Sequence, residues 1–511
     1  MTKSDRTPAL ISGERGISYA HLDRRACRAA SALRELGLGA GDRLALLMRN
    51  DFAYFEAMRA AALLNVVSVP LNWHLTAGEL KRILDHSGAR AMVAHSDLLS
   101  SELLEACGSL KPVCVATPSE VREAYGLPEN APPDGIPLWH DWIRGYAPWT
   151  DEPAGPGDTM FYTSGTSGQP KGVSRIAAPP AAIAEVARRS ERAWGLGGGG
   201  ARALVTGPVY HSAPNAYATM VLRTRGLLVM QPRFDAEELL RLVAAHRITH
   251  LYMTPTMFTR LLSLPRRVRN QFDPGSLRHV SHGAAPCPPE LKRRMLDWWG
   301  DIFVEYYALT ETGILTTCDS RQWRAHSGSV GKAVEGIDLR IAATDGSQAA
   351  PGKTGEVCVR SSLTPYVSYH QADDETRRMR RGDYMATGDI GYLASDGYLY
   401  ITGRKTDMVI SGGVNIYPAE IEAALAACPG IGDAAVFGVP DPEFGERLVA
   451  VLQRDDKADS PDATAVHEFL LQRLARFKIP REIHFRRELP REDTGKIRKP
   501  LLKAEYLRRI P

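Results

Sequence analysis

Short apolar runs alternate with helix-period patterns from about residue 40 onward, and this alternation limits the folds open to the chain. Arg43–Met48 reads as a strand, residues 52–64 as a helix, Val66–Leu71 as a second strand and Ala91–Ala94 as a third after another helix. The pattern returns with Ala203–Thr206, Leu227–Met230 and Ile248–Met253. Between the last two, Asp235 and Glu238 predict a capping box, and Ala236, Leu239, Leu240 and Val243 form one apolar stripe. Strands alternating with helices imply mostly parallel sheets covered on both faces. Near residue 340 the character changes. Leu339–Ile341, Gly355–Arg360 and Gly397–Thr402 are short strands separated by Gly/Asp turns, an all-β section. After Gly403-Arg404 a small separate unit begins, with a helix at 418–427, strands near 433–438 and 447–453, and a helix at 464–475. The boundary is expected at 404–407.

A length of 511 residues exceeds one ordinary core and predicts about two to four folding units. With 44% hydrophobic and 24% charged residues the composition is that of a soluble globular protein. The 63 basic and 59 acidic residues nearly cancel, so nucleic-acid binding has no global electrostatic support. Cys27, Cys107, Cys114, Cys287, Cys318, Cys358 and Cys428 contain no C-x-x-C pair, an odd count that suggests a reducing compartment without a zinc site or disulfide frame. Met1–Arg6 lacks the apolar run of a signal peptide. The longest apolar stretch, Ala53–Trp73, carries Glu56, Arg59 and Pro70, so no membrane span is expected. A cytoplasmic location follows as an expectation.

The most informative local feature is Tyr162–Val173, Tyr-Thr-Ser-Gly-Thr-Ser-Gly-Gln-Pro-Lys-Gly-Val. Glycines allow close approach of the backbone to a ligand, and successive N–H groups can then converge on an anion. Ser164, Thr166 and Ser167 add hydroxyl donors and Lys171 a mobile positive charge. That is the chemistry of a polyphosphate cradle, although the spacing is not that of the Walker loop. A flexible Ser/Gly connector is the plain alternative, and the ordered Pro-Lys-Gly ending argues against it. Gly195–Gly200 matches G-x-G-x-x-G formally but precedes a strand, so a surface turn is the better reading. Asp493-Thr-Gly495 resembles half an aspartic-protease site without a second copy.

Five further segments make sense beside that loop. Glu305–Thr312 places aromatic rings, a hydroxyl and a carboxylate close together: rings stack on planar bases, and Glu311 suits Mg²⁺ held against phosphate oxygens. Taken alone it is also an ordinary strand end with a capping Thr. Asp389 in Thr387-Gly-Asp389 and Arg404 after Gly403 sit at strand ends, suited to two vicinal hydroxyls, though turn chemistry explains Gly-Asp equally well. Ser411–Glu422 joins a glycine pair to a Pro-started helix. In Leu489–Lys499, Lys496 beside Gly495 is a mobile cation or part of a solvated charge run. Pro208–Pro214 puts His211 in a strand-to-helix turn, where a lone histidine is more often structural.

In their order and spelling these segments resemble the adenylate-forming enzymes, which include acyl-CoA synthetases, peptide-synthetase adenylation domains and luciferases. The likeness runs from about residue 15 to 505, and Ile-Ser-Gly-Gly-Val-Asn-Ile-Tyr-Pro with Tyr-His-Ser-Ala-Pro is similar to acyl- or aryl-CoA ligases. The resemblance implies an α/β fold. A large N-terminal AMP-binding domain (1–404) would hold two mostly parallel sheets with flanking helices plus a β-rich subdomain, and a small mobile α+β C-terminal domain (405–511) would carry the catalytic lysine. It implies ATP, Mg²⁺ and coenzyme A, a hydrophobic fatty, alicyclic or aromatic carboxylic acid, AMP and pyrophosphate as products, and no nucleic-acid partner. A homodimer is compatible with it. Thr163, Ser164, Gly165, Thr166, Ser167 and Lys171 would wrap the phosphates; Gly283, Ala284, Ala285, Pro286 and Tyr307 would enclose the adenine and the floor of the acyl pocket. Thr310 would bind phosphate, Glu311 the magnesium, and Asp389 and Arg404 the ribose. Lys496 would meet the substrate carboxylate and the α-phosphate, His211 would gate the acyl pocket, and Gly412 and Gly413 would flank the pantetheine arm.

The match departs in places. Thr406 stands where the family usually has Asp or Lys at a hinge, and Ala308 replaces a usual glycine, an added methyl group that can narrow the acyl pocket but whose direction the sequence does not give. The stretch Ser212–Met220 is small and apolar with Asn215 and Tyr217 interspersed, which suits a hydrophobic or aromatic acid. Arg377, Arg378, Arg380 and Arg381 form a solvated face in preference to a site for CoA phosphates. Relatives of this kind also pass the adenylate to amines, and some activate other oxyanions such as nitrite, so the acceptor stays open.

Overall fold

The helix Phe52–Leu63 is apolar on nearly every face because it is covered on nearly every face. In the computed structural model, which describes residues 8–129, 131–153, 155, 157–163, 171–175, 178–411, 414–455, 461–492 and 495–508, it packs with the helix Tyr19–Glu35. Together they join a core drawn from two sheets, with Leu46 and Val93 from one and Val205 and Tyr252 from the other. Glu56, the charge that spoke against a membrane span, is buried and accepts hydrogen bonds from Trp139 Nε1 at 2.7 Å and Arg25 Nη2 at 2.9 Å. A buried carboxylate paired in this way is tolerated within a core. Among the described residues no helix is long and apolar enough to cross a membrane.

The smaller of these sheets is wholly parallel, in the order Lys111–Val115, Ala91–His95, Arg43–Leu47, Val67–Pro70, Asp158–Thr159. The larger has nine strands. Its parallel centre runs Leu227–Met230, Arg202–Val205, His250–Met253, His279–His282, Phe303–Leu309, and antiparallel strands close both edges. Alternate residues face opposite cores: Ala203, Val205 and Tyr252 meet the inter-sheet core, while Leu204, Leu251 and Met253 meet a second one. One edge holds the hairpin Pro8–Ser12 and Arg15–Ser18, whose first strand lies parallel to Leu227–Met230. The sequence pattern did not mark this hairpin, because its strands are short and their partner lies some 200 residues away.

The strands expected after residue 340 form, although the section is β-rich and not all-β, since it also holds the short helix Asp373–Met379. Asp338–Ala342, Gly355–Arg360, Tyr384–Leu393, Arg380–Arg381 and Leu399–Arg404 form an antiparallel sheet. A separate small sheet pairs Tyr162–Thr163 with Lys171–Ser174 and then with Ser368–Tyr369. After the turn Lys405–Asp407, the strands Val409–Ser411, Val414–Ile416, Ile431–Asp441, Gly445–Arg454 and Glu482–Arg486 make a further sheet. Helices Pro418–Leu425 and Ala463–Leu471 pack on it over their own core. This is the α/β architecture expected. One detail differs: Asp235 caps the helix Ala236–His246 through the Glu238 N–H, but no reciprocal bond from the Glu238 side chain is present. That carboxylate bonds Arg241 at 2.5 and 2.6 Å instead.

Candidate active site

The parallel strands of the large sheet all end on one side, and the segments after them carry the residues singled out in the sequence. This is where open α/β sheets present their ligand crevice. After Arg202–Val205 comes the turn to His211. It is fixed from below: Asn50 Nδ2 donates to the Gly207 carbonyl at 3.1 Å, and the Val209 N–H donates to Asn50 Oδ1 at 2.9 Å. Tyr54 donates to the Val209 carbonyl at 2.9 Å, and Asn215 Nδ2 donates to that same carbonyl and to the Tyr54 hydroxyl. His211 is the N-cap of the helix Ser212–Arg223.

The turn after Phe303–Leu309 supplies Thr310 and Glu311. The Thr310 hydroxyl lies 3.1 Å from the Ser212 hydroxyl, which ties this turn to the His211 loop. Glu311 Oε1 accepts from the Tyr369 hydroxyl at 2.9 Å. The Tyr369 ring has Lys171 Nζ 5.4 Å from its centroid, a cation–π distance. Burial, reinforced by Glu311, pushes the Tyr369 phenol well above its ordinary value, so it stays a neutral donor. Lys171 pairs with Thr163 in the small hairpin; Ser164, Gly165, Thr166 and Ser167 lie outside the described residues, as do Gly412 and Gly413.

Tyr307 reaches the other way along the same strand. Its hydroxyl donates to Asp389 Oδ2 at 2.6 Å, and Asp389 Oδ1 lies 3.0 Å from Arg404 Nε. Asp389 is 4% exposed, and the cross-strand register that sets it opposite Arg404 explains the pairing. Burial and the Asp389 carboxylate both raise the Tyr307 phenol well above its usual range.

Gly283–Pro286 follow His279–His282. A Cβ on Gly283 would lie 2.6 Å from the Tyr306 carbonyl oxygen, so only glycine allows this approach. Ala284 takes φ 66°, a left-handed conformation that costs a non-glycine residue roughly 1–2 kcal/mol. Such strain beside a candidate ligand loop is where functional sites concentrate it. Below the loop, burial and the neighbouring Lys292 hold His282 neutral, and Lys292 is itself paired with Glu305 at 2.7 Å.

Lys496 lies in a hairpin whose Gly495 presses on the first turn of the helix Pro255–Ser263, again beyond a parallel strand. Thr256 donates to the Gly495 carbonyl at 3.1 Å. Lys496 is exposed and forms no ion pair with the groups above among the described residues. The structure therefore joins Thr310 with the His211 turn, Glu311 with Lys171 through Tyr369, and Tyr307 with Asp389 and Arg404. It brings the Lys496 hairpin to the same side without closing that contact. Tyr369, Asn50 and Tyr54 were not marked in the sequence as part of the site; Ser212 and Asn215 were marked only as members of the small apolar stretch suited to the acid, not as partners of Thr310 or as support for the turn.

A family model described as AMP-binding enzyme matches residues 1–365, and one described as AMP-binding enzyme C-terminal domain matches residues 420–496. Feruloyl-CoA synthase of Amycolatopsis sp is 32% identical over 517 residues, covering 99% of this chain and 96% of that protein. The long-chain-fatty-acid–CoA ligase FadD13 of Mycobacterium tuberculosis is 32% identical over 510 residues, covering 97% and 94%. The solved structure of the amide bond synthetase McbA from Marinactinospora thermotolerans matches with a TM-score of 0.84 at 23% identity, covering 98% of this chain and 97% of that one, a likeness of fold.

Proposed function

The chain belongs to the AMP-binding enzyme family, and from that premise we propose that it is an ATP-dependent carboxylate–CoA ligase with units 1–404 and 405–511. The observation that carries the reading is the linked set Lys171–Tyr369–Glu311 beside Tyr307–Asp389–Arg404 at the carboxyl ends of the strands. One end supplies a cation and a carboxylate for a metal–polyphosphate group, the other a carboxylate and guanidinium for a ribose. Glu311 engages one oxygen with Tyr369 and keeps a hard oxygen donor for Mg²⁺, an ion that takes one or two carboxylates plus substrate phosphates. When bound, Mg²⁺ would offset phosphate charge. Thr310 with Ser212 then places hydroxyls on the phosphate side, and His211 borders the acyl group.

In the first half-reaction a carboxylate oxygen bonds to the α-phosphorus of ATP as the bond to the β-phosphate bridging oxygen breaks, giving acyl-adenylate and pyrophosphate. In the second, the CoA sulfur attacks the acyl carbon, the thiol proton leaves to solvent, and AMP departs with its phosphate oxygen. Lys496 acts by position: its charge meets that shared by the carboxylate and the phosphoryl oxygens, with no proton transfer. The experiment is acid-dependent pyrophosphate exchange together with AMP release in the presence of CoA, an amine or nitrite. The expectation is AMP release that requires CoA. Lys496→Ala should lose exchange by about 10²-fold or more yet still form thioester from supplied acyl-adenylate. AMP release that needs an amine and ignores CoA would overturn the choice of acceptor, and equal loss of both half-reactions would overturn the role of Lys496.

A further inference from the structure

The helices Pro255–Ser263 and Pro289–Trp299 both begin beside the candidate site and pack on each other. The first starts at the Gly495 contact, the second just after the Gly283–Pro286 loop. Each then runs back along the sheet toward the start of the next parallel strand. At ~1.5 Å per residue, the 11 residues of the second helix span roughly 16 Å. Their far ends therefore lie at the end of the sheet opposite the ligand crevice. Between those far ends is a cavity of about 400 Å³.

Local sequence explains its walls. Leu264 and Pro265 take extended backbone, which closes the first helix, and Pro265 caps the single turn Arg266–Arg269. Arg266 and Arg269, three residues apart, share the face of that turn that borders the cavity. On the second helix Arg294 and Trp298, four apart, share another. Leu262, 8% exposed, gives the cavity an apolar wall. The Trp298 ring rests against Trp299 with centroids 5.3 Å apart, and the Arg269 guanidinium lies 5.1 Å from the Trp298 centroid.

Most exposed arginines are simply solvated, and cations near helix ends complement the dipole. These three differ in what surrounds them. Their neighbour Arg293 is held by Glu290 at 2.6 Å and by Asp297 at 3.0 Å. The second contact engages the one carboxylate that lines the cavity. Arg266, Arg269 and Arg294 have no carboxylate partner among the described residues. Arg269 Nε is buried without a hydrogen-bond partner, and burial, then the charges of Arg266 and Arg294, hold its guanidinium below its ordinary value. Converging cations that the protein leaves unneutralised suit an anion with several oxygens, and guanidinium forks match phosphate. The indole and Leu262 suit a carbon body attached to that phosphate.

We propose that this cavity is a binding site for an organic phosphate, separate from the crevice at the other end of the sheet. Arg266, Arg269 and Arg294 hold the phosphate oxygens, and Trp298 with Leu262 contacts the carbon body. A soluble phosphate monoester and a phospholipid headgroup share this chemistry.

The test is calorimetric titration of the full chain with glycerol 3-phosphate, beside sedimentation with phosphatidate vesicles at the same ionic strength. The wild-type protein should bind one of these probes, and neither glycerol nor phosphatidylcholine vesicles. Arg269→Gln and Arg294→Gln should each weaken that binding by about tenfold or more. Their unfolding midpoints should stay within a few degrees of the wild type, since no carboxylate loses a partner. Arg267→Gln removes an exposed arginine of the same turn that does not line the cavity, and should change binding by less than about twofold. Binding of glycerol 3-phosphate assigns a free ester, and binding of phosphatidate vesicles alone assigns a headgroup. Phosphate bound in the catalytic crevice would persist in the Arg269 and Arg294 variants, so equal affinity in those variants and the wild type overturns the inference. It is also overturned if neither probe binds at about 10 mM phosphate. Equal weakening by Arg267→Gln would reduce the cluster to a general basic surface and overturn it too.

Discussion

The Tyr369 hydroxyl donates to Glu311 while its ring faces Lys171, so one side chain sets the positions of a carboxylate and a cation at once. A hydrogen bond to a charged group is worth about 1.5–3 kcal/mol, more than an exposed cation–π contact. Tyr369→Phe keeps the ring and loses the hold on Glu311. We expect the Mg²⁺ concentration needed for half-maximal pyrophosphate exchange to rise about tenfold, with the KM for the acid little changed and the unfolding midpoint within a few degrees. Tyr369→Ala should do worse on both Mg²⁺ and ATP. An unaltered Mg²⁺ titration in the Phe variant would separate Tyr369 from the proposed metal site. Nothing local in the sequence announces this residue, since Ser368–Tyr369 is a two-residue strand with no periodicity.

The strand His279–His282 carries two imidazoles that the fold keeps neutral. His279 pairs in register with His250, the two rings stack 5.8 Å apart, and His250 Nε2 and His279 Nε2 bond the Gly195 and Ala193 carbonyls, each at 3.0 Å. Burial, with His250 nearby, holds His279 at about 4, and burial with Lys292 holds His282 well below its usual value. An unfolded histidine titrates near 6.5, so between about 6.5 and 4 the unfolded chain binds the extra protons. Stability from this element is therefore full above about pH 6.5 and is lost as the pH falls toward 4, by up to ~3 kcal/mol for His279. His279→Gln, which retains a donor for Ala193, should flatten the fall of the unfolding midpoint between pH 7 and pH 4.5. A slope identical to that of the wild type would remove His279 from the account. The sequence pattern did not mark this strand, His-Val-Ser-His, which has no apolar run, and the protonation of its histidines depended on what the neighbouring strand and turn placed beside them.

Gly495 is where the C-terminal unit touches the helix beyond the parallel strands. It has φ 84°, and a Cβ there would lie 2.3 Å from the Thr256 Cβ. Gly495→Ala should lift the Lys496 hairpin, and misplacement on the order of 1 Å can cost about 10²-fold in rate. We expect pyrophosphate exchange to fall by that order and thioester formation from supplied acyl-adenylate to fall far less, with Thr256→Gly restoring part of the exchange. Equal loss in both half-reactions would show that this docking does not belong to the first step alone. The motifs, their order and the alternation of strand and helix are local properties of the chain, so the sequence by itself determined the family, the α/β architecture and most of the residues proposed for the nucleotide. Tertiary structure decided which of them meet. Glu311 finds Tyr369 at a separation of 58 residues and Tyr307 finds Asp389 at 82. The rings of Trp194, Tyr217, Tyr252 and Tyr306, far apart along the chain, meet in the core between the sheets. Such contacts are set by sheet register and by which face each strand turns to which core, and those depend on partners that no local window of sequence contains.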